Sequence, residues 1–177
     1  MPGAPTVIDD AGHVAAPQWL AWRRLTDLDG WPAWWQGMSV AALPGRPGAP
    51  SAQESSAGVL LDVVLPGHDR RRWTLPGGHR RLRIVATPHG WRHEHSFHLS
   101  LAGDVVGEVE WWLEATSTGT MVHHVATLAP GLVATGPQRW RAAVRRGLWD
   151  LADALALEVR DAVGMPDDPG GTARLSR

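Results

Sequence analysis

The stretch Pro137–Val163 has the sequence PQRWRAAVRRGLWDLADALALEVRDAV, and its pattern predicts one long helix. Its large apolar residues recur at steps of three or four positions, the spacing of one helical face: Trp140, Val144, Leu148, Leu151, Leu155 and Val159. Small residues follow the near side of the helix: Ala142, Ala143, Gly147, Ala152 and Ala154. At ~1.5 Å per residue the helix extends over ~40 Å, enough to cross a whole sheet. We therefore expect it to lie across a sheet, with space left beneath the small residues.

The middle of the chain predicts the antiparallel strands of that sheet. Trp91–Leu101 alternates with the period of a strand, and its odd-numbered residues share one face: Trp91, His93, His95, Phe97, Leu99 and Leu101. Val105–Ala115 alternates too, with Val109, Trp111 and Leu113 opposite a row of glutamates. Further strands are predicted at Val7–Asp10, Met38–Leu43, Val59–Leu65, Arg70–Leu75, Arg80–Thr87 and Thr120–Leu128.

Two helical segments follow the first predicted strand. Pro17–Leu28 begins with a proline, which is favourable in the first turn of a helix, and has Trp22 and Leu25 at helical spacing. A short second helix is predicted over Trp31–Gln36. Helices before and after a run of antiparallel strands are typical of an α+β fold. The sequence thus predicts a curved antiparallel sheet wrapped around the long C-terminal helix.

The composition narrows the classes of function. Of 177 residues, 44% are hydrophobic and 20% charged, and the net charge of −1 argues against a generally basic nucleic-acid or membrane binder. The absence of Cys excludes disulfides, thiolate metal sites and a cysteine nucleophile. No run approaches the ~18 apolar residues of a membrane span. Tryptophan is abundant, with 11 residues, and each buried indole N–H needs a hydrogen-bond partner.

The chain is expected to form a single domain over residues 7–163, with flexible ends at residues 1–6 and 164–177. The N-terminal sequence has neither a basic leader nor an apolar signal segment, so a cytoplasmic location is the expectation. Lys, Tyr and Asn are absent, and because their codons are AT-rich, a GC-rich bacterial genome is the expected source. Homodimers are common among soluble proteins, and Trp112 on the outer strand face is a candidate subunit contact.

Three segments carry a family resemblance. AAPQWLAWRRLTDLDGWPAWW (Ala15–Trp35) is similar to an Ala-Pro-x-x-x-Val-Trp helix followed by Asp-x-x-x-Trp-Pro-x-Trp. GDVVGEVEWWLEATSTGTMVHH (Gly103–His124) is similar to Gly-Asp-x-x-Gly-x-x-x-Trp-x-Leu followed by Gly-Thr-x-Val. LAPGLVATGPQRWRAAVRRGLWDLADAL (Leu128–Leu155) has an Ala-Pro before its helix. Together they resemble the START-like helix-grip (SRPBCC) superfamily, and within it the polyketide cyclase/dehydrase-like group, over Val7–Val163.

The resemblance implies an apolar cavity between the sheet and the long helix that holds a small hydrophobic ligand, polyketide- or lipid-like. Superfamily members include carriers, cyclases, aromatases and chaperone cofactors, so the fold does not select an activity. Three hypotheses follow: ligand binding, a polyketide cyclase, aromatase or dehydratase that uses cavity histidines as acid and base, and a protein-interaction module on the outer sheet face. We expect no cofactor and no resident metal.

His93 and His95 are the first candidates for chemistry. They are two apart on the predicted strand, with Cβ atoms ~6.5–7 Å apart on one face. They would satisfy hydrogen bonds in a pocket wall, or they would contact a ligand and transfer protons near neutral pH. A metal site would need His124 or Asp62 from another strand as a further ligand.

His124 and Asp62 are the remaining catalytic candidates. His123 and His124 are adjacent and point to opposite faces, and His124 shares its face with Val122 and Ala126, so we expect it to face the cavity. Asp62 lies in an apolar strand and has two open orientations. If it faces inward, burial raises its pKa unless it is paired, and if it faces solvent, its apolar neighbours in sequence face inward.

Six arginines between Arg70 and Arg83 form either an anion-binding patch or the solvated outer face of two strands. On the outer face they would pair with Glu94, Glu108, Glu110 and Glu114. The residues predicted to line a ligand cavity are Trp91, His93, His95, Phe97, Val109, Trp111, Leu113, Val122, His124, Gly147 and Leu151.

Overall fold

The computed structural model describes residues 4–43, 58–65, 80–130 and 137–163. In chain order the elements are β1 (Thr6–Val14), α1 (Gln18–Thr26), a 3₁₀ helix (Leu28–Ala33), β2 (Met38–Ala42), β3 (Val59–Leu65), β4 (Arg80–Arg92), β5 (Ser96–Gly103), β6 (Gly107–Thr116), β7 (Gly119–Leu128) and α2 (Pro137–Val163). The predicted strand Arg70–Leu75, residues 1–3 and the predicted tail at 164–177 lie outside the described residues.

All described strands belong to one antiparallel sheet with the order β1-β7-β6-β5-β4-β3-β2. From β2 to β7, each strand pairs with its neighbour in sequence, and β1 joins the far edge by pairing with β7, where Asp10 lies opposite His124. The sheet curves into a half-barrel around α2. The predicted fold class is confirmed.

Alternation along the strands separates an apolar inner face from a polar outer face. In β6, Val109, Trp111 and Leu113 are buried, while Glu108 and Glu114 at the two ends of this run are exposed. Burying one face of each strand removes apolar area from water at roughly 25 cal/mol per Å² and fixes the register, since a slip by one residue would expose the whole apolar face.

The local sequence around Asp27 ends α1 earlier than predicted. The Asp27 side chain accepts a hydrogen bond from the Gly30 backbone N–H at 3.2 Å, which starts the 3₁₀ helix at Leu28. The short helix predicted over Trp31–Gln36 therefore has the wrong bounds. The indole N–H of Trp31 donates to the Leu25 carbonyl at 2.9 Å and ties the two helices together.

The long helix α2 has the predicted bounds and packs mainly on β1, with further contacts to β3. Its predicted stripe faces the sheet, and most of its members are buried: Trp140, Val144, Leu148, Leu151 and Leu155. Gly12 of β1 lies under this stripe, since a Cβ there would be 3.1 Å from the Leu148 Cβ. The close approach of helix and strand depends on that missing side chain.

The single strand predicted over Trp91–Leu101 is wrong. β4 ends at Arg92, residues 93–95 form a turn, and β5 begins at Ser96. Glu94 has φ 57° in this turn, and Gln18 of α1 donates from its side-chain amide to the Glu94 carbonyl at 2.5 Å. An alternating sequence does not reveal such a turn, because a contact from a distant helix stabilises it.

Candidate functional site

A small apolar cavity lies between the inner sheet face, α2 and the segment containing the 3₁₀ helix. It is lined by Trp31, Trp35, Met38, Leu61, Val63, Leu99, Leu101, Val109, Trp111, His124, Trp140, Ala143 and Val144. Its volume is about 20 Å³, and since a water molecule needs roughly 10–15 Å³ on this measure, one water nearly fills it. The cavity is far smaller than the ligand space that the sequence analysis predicted.

Tryptophan rings occupy the space that was expected to be empty. Trp31 stacks on Trp35 with ring centroids 5.6 Å apart, and Trp111 meets both rings edge-on, at 5.9 and 6.4 Å. Gly147 does not leave room beneath α2, because a Cβ on it would lie 2.7 Å from Trp35 ring carbons. The prediction that Gly147 opens a ligand space is therefore corrected.

Among the described residues that line the cavity, His124 is the one with an ionisable side chain. Only 1% of it is exposed, and its ring meets Trp111 edge-on at a centroid distance of 4.7 Å. Burial among apolar rings lowers the pKa of His124 to about 4, although a backbone hydrogen bond and the Asp10 carboxylate partly offset this. The imidazole is therefore neutral near pH 7.

Three polar atoms of the cavity-lining residues are buried without a hydrogen-bond partner within the described part of the chain. They are Nδ1 of His124 and the Nε1 atoms of Trp111 and Trp140. Most buried polar atoms in folded proteins are paired, so three unpaired ones in a single lining are unusual. They belong to residues of the cavity wall, and the described part of the chain supplies no partner to any of them.

Asp10 forms a second buried polar group next to His124, and the sequence analysis missed it. Its side chain is 3% exposed, Arg145 Nε lies 2.6 Å from Oδ1, and Arg141 Nε lies 3.1 Å from Oδ2. Two sequence patterns could have predicted this buried ion pair. Asp10 alternates with Ile8 on the inward face of β1, and Arg141 and Arg145 are four residues apart on one helix. This ion pair fixes α2 to the edge strand.

Apart from Gly147, the predicted ligand-binding residues fall into three groups. Three of them line the cavity: Val109, Trp111 and His124. Four are buried in the surrounding core: Phe97, Leu113, Val122 and Leu151. Trp91, His93 and His95 lie away from the cavity at the β4–β5 turn, where Trp91 stacks on Phe97 at 5.1 Å.

His93 and His95 do not share a strand face, because both lie in the turn, and both are exposed. His95 Nδ1 lies 3.1 Å from the side-chain amide of Gln18, and the His93 ring lies 6.0 Å from that of Trp22. These contacts hold α1 against the turn. Neither histidine lines the cavity. The structure therefore does not form the predicted pair of acid–base histidines in a pocket.

Asp62 takes the outward one of its two open orientations. Val59, Leu61 and Val63 of β3 are buried, while Asp62 forms an ion pair with Arg81 at 3.3 Å on the outer face. Among the described residues, neither Arg81 nor Arg83 forms the ion pair with a strand glutamate that the sequence analysis expected. Instead, Glu108 lies 3.0 Å from His98, and Glu114 lies 3.5 Å from His123. Arg70 to Arg72 lie outside the described residues.

His123 points away from the cavity, as predicted, and stacks on Trp112 with centroids 3.6 Å apart. Trp112 is therefore partly covered rather than an exposed contact.

Among the described residues, no group of three or more His, Asp or Glu side chains is arranged to hold a metal ion. No helix in the described ranges is both long and apolar enough to cross a membrane.

Of the remaining lining residues, three belong to faces of α2 that its helical pattern predicts, namely Trp140, Ala143 and Val144, and four others follow from strand alternation. Leu99 and Leu101 of β5, and Leu61 and Val63 of β3, occupy inward positions of predicted strands. Trp31, Trp35 and Met38 lie in the segment after α1, whose position over the sheet no local pattern reveals.

Comparison with known proteins gives relatives in structure but not in sequence. No protein-family model matches the chain, and no curated protein is significantly similar to it. A START superfamily protein from Mycobacterium smegmatis superposes with a TM-score of 0.59 at 16% identity, covering 88% of this chain and 98% of that one. A protein from Thermus thermophilus gives 0.62 at 16% identity, with 86% and 99% coverage.

The di-domain ARO/CYC StfQ from the steffimycin biosynthetic pathway also superposes, with a TM-score of 0.56 at 16% identity, over 89% of this chain and 53% of that one. At such identities the likeness extends to the fold alone. With the sheet order and the position of α2 described above, it shows that this chain has the START-like helix-grip fold.

Proposed function

We propose that the protein binds a small, neutral, mainly apolar molecule that carries a hydrogen-bonding oxygen, in the cavity between the sheet and α2. The observation that carries this proposal is the set of buried atoms without partners in the described chain: His124 Nδ1 and the indole nitrogens of Trp111 and Trp140. The START-like and ARO/CYC structural neighbours support a ligand of the polyketide- or lipid-like class.

The energetics favour a ligand with one polar end. A buried donor or acceptor without a partner destabilises the protein by about 1–3 kcal/mol, so a ligand oxygen that pairs with one recovers free energy on binding. The remaining lining is apolar, and each Å² of ligand surface buried there adds roughly 25 cal/mol before the ligand's loss of freedom is subtracted. The same lining that lowers the His124 pKa would disfavour a charged ligand.

A ligand of this kind enters only if side chains move, since the cavity measures about 20 Å³. Met38 and Trp140 are the most exposed lining residues, at 8% each. Trp140 lies in the first turn of α2, and Met38 is an unbranched, adaptable side chain at the start of β2. The proposed route therefore runs past these side chains, which are the most exposed ones of the lining.

The test compares two probes of nearly equal shape, 2-naphthol and naphthalene. Binding is followed by the shifts of the indole N–H signals in nitrogen-15 NMR spectra, with the Trp111 and Trp140 signals assigned by Trp→Phe variants. We expect saturable shifts of these signals with both probes and tighter binding of 2-naphthol, since its hydroxyl pairs with the buried polar atoms. One hydrogen bond corresponds to roughly a 2- to 10-fold difference in affinity.

Two variants sharpen the test. His124→Phe keeps a ring in place but has no ring nitrogen, so it should reduce the preference for 2-naphthol while leaving naphthalene binding similar. Trp140→Ala should widen the route and bind both probes more tightly. The proposal fails if neither the wild type nor Trp140→Ala shows saturable shifts, or if the probes shift only signals outside the cavity.

Native mass spectrometry of the protein purified from its own host gives an independent readout, namely the mass of any retained molecule.

The cyclase alternative has weaker support from the geometry. His93 and His95 are exposed in a turn, and His124 is a weak base because burial lowers its pKa to about 4. Among the predicted catalytic candidates, His124 alone lies in the cavity lining.

A further inference from the structure

The indole ring of Trp35 fills a flat space against α2 at Gly147. A Cβ on Gly147 would lie 2.7 Å from both Cδ2 and Cε2 of Trp35. These two atoms form the bond that the two rings of an indole share, so the Gly147 backbone faces the middle of the flat ring surface and not its rim. Glycine is unfavourable in the interior of a helix, and here it is needed because any larger residue would collide with the ring.

The other contacts of the Trp35 ring are also contacts between aromatic rings. Trp31 stacks on it with an interplanar angle of 26°, and Trp111 stands almost perpendicular to it, at 82°. Offset stacks and edge-to-face contacts are the arrangements that aromatic rings prefer. None of these contacts depends on the covalent link between the indole and the chain, so a planar ligand of similar area would make the same ones.

Trp35 leaves the polar atoms of the cavity lining without a partner. His124 Nδ1 and Nε1 of Trp111 and Trp140 are unpaired within the described chain, although Trp35 lines the same cavity. A ligand with a ring in the place of the Trp35 indole and an oxygen on its rim would keep the aromatic contacts and add a hydrogen bond. Because the apolar area lost by Trp35 and that gained by such a ligand nearly cancel, the hydrogen bond and the ligand concentration decide which ring occupies the space.

The position of Trp35 in the chain leaves its side chain free of regular structure. The residue lies between the end of the 3₁₀ helix at Ala33 and the start of β2 at Met38, in neither a helix nor a strand. The two residues that follow it, Gln36 and Gly37, are exposed, and Gly37 has φ 79°. Moving the Trp35 ring therefore disrupts neither a helix nor a strand at its own position.

We propose that Trp35 is a displaceable plug, which keeps the ligand site closed until a planar aromatic ligand takes the place of its ring against Gly147. The proposal rests on the function proposed above and adds the shape of the ligand, a flat ring system of about the size of an indole with an oxygen on its rim. Trp31 and Trp111 contact whichever ring occupies the space. The volume of about 20 Å³ is then what the plug leaves over and not the size of the ligand.

The first experiment follows Trp35 in the wild type. Its indole N–H signal in nitrogen-15 NMR spectra is assigned with a Trp35→Phe variant, and the protein is titrated with 2-naphthol and with 2-decalol, which has the same carbon skeleton and a hydroxyl group but is not flat. We expect 2-naphthol to move the Trp35 signal to that of a solvated indole, in step with the shift of the Trp111 signal. Without the two aromatic contacts, 2-decalol should bind about 10-fold more weakly.

Two variants at neighbouring positions separate the plug from general packing. Trp35→Ala removes the plug and should bind 2-naphthol about 10-fold more tightly than the wild type, because no ring has to leave its aromatic contacts. Trp34→Ala is the matched control, since Trp34 is the preceding residue, is 6% exposed against 5% for Trp35, and does not belong to the cavity lining. It should change the affinity much less.

A double variant tests whether plug and ligand share one space. In Trp35→Ala with Gly147→Leu, the leucine side chain fills the same space from the helix, so the affinity gained by Trp35→Ala should be lost again. A double variant that still binds 2-naphthol as tightly as Trp35→Ala would show that the ligand lies elsewhere and would overturn the plug.

The remaining outcomes separate this inference from the function on which it rests. Saturable shifts of the Trp111 signal without a change at Trp35, in the wild type or in Trp140→Ala, or equal affinities for 2-naphthol and 2-decalol, would leave the proposed function standing and overturn the plug. A Trp35→Ala chain that is folded by circular dichroism and binds 2-naphthol no more tightly would also overturn it. If neither the wild type nor Trp140→Ala binds a probe, both proposals fail. If Trp35→Ala does not fold, the Trp35 signal of the wild type decides.

Discussion

Gly147 of α2 faces the indole ring of Trp35 so closely that a Cβ on residue 147 would lie 2.7 Å from ring carbons Cδ2 and Cε2. Trp35 in turn stacks on Trp31 and contacts Trp111 edge-on. The glycine therefore decides how deeply the tryptophan rings extend under α2. It contributes to a small cavity by admitting a ring from the protein itself.

Gly147→Ala should destabilise the fold by about 1–3 kcal/mol, because the added methyl group overpacks the Trp35 ring. Helix propensity alone predicts the opposite sign, a gain of up to ~1 kcal/mol. Urea denaturation of both the wild type and the variant measures the difference. In a Trp35→Leu background the penalty should disappear, and a double-mutant cycle without coupling between the two positions would contradict the contact.

His124 should make stability depend on pH in a defined window. Its pKa is about 4 in the folded chain, whereas a solvated histidine of the unfolded chain has the ordinary pKa of 6.5, so the unfolded chain binds the proton first as the pH falls. The stabilisation is complete above pH 6.5 and is lost as the pH falls through 6.5 towards 4. Lowering the pKa from 6.5 to about 4 corresponds to a full effect of about 3 kcal/mol on the free energy of unfolding.

The measurement is the unfolding free energy as a function of pH for the wild type, His124→Phe and His93→Gln. His124→Phe should flatten the dependence, whereas His93→Gln should retain it, since His93 is exposed. Direct NMR titration of the His124 ring protons should give a midpoint near 4. A midpoint close to 6.5 would show that the ring is solvated.

Arg145→Ala should lower the free energy of unfolding by about 1–2 kcal/mol. The substitution removes the closer partner of the buried Asp10 carboxylate, and only Arg141 then remains beside it. Arg146→Ala is the matched control, one residue along the helix and without an ion pair in the described chain, and should change the stability of the monomer by less than about 0.5 kcal/mol. Thermal or urea unfolding of both variants makes the comparison. Equal effects would show that the Asp10 pair contributes nothing.

Trp31→Phe should destabilise more than Trp111→Phe by roughly 1–2 kcal/mol. Both rings are 2% exposed, but the Trp31 N–H donates to the Leu25 carbonyl, whereas the Trp111 N–H has no partner within the described residues. Trp31→Phe breaks a buried hydrogen bond and leaves the Leu25 carbonyl without its donor. Trp111→Phe removes a donor that has no partner among the described residues. If Trp111→Phe is the more damaging, its N–H has a partner, such as an ordered water or a bound ligand.

Much of the architecture follows from periodicity. The bounds of α2 and β3 are as predicted, and the inward position of His124 follows from alternation. The apolar stripe of α2 and the alternating faces of β6 indicate which sides are buried, because buried positions of a regular helix or strand hold apolar residues.

The predictions from the sequence are wrong where a contact from elsewhere in the chain decides the local conformation. Trp91–Leu101 alternates like one strand, yet Gln18 stabilises a turn at Glu94 and moves His93 and His95 to the surface. Three of the proposed ligand-binding residues line the cavity, and several others lie in the core around it, since alternation identifies a face but not its position along the sheet.

The sequence by itself determined most of the helices and strands and their order, since these depend on local periodicity and turn chemistry, and the family resemblance of three segments implied the helix-grip class. Only the tertiary structure decided whether the space under α2 is open. That outcome depends on how four indole rings from the segment after α1, from β6 and from α2 pack together, and side-chain volumes from distant segments combine only once the chain is folded.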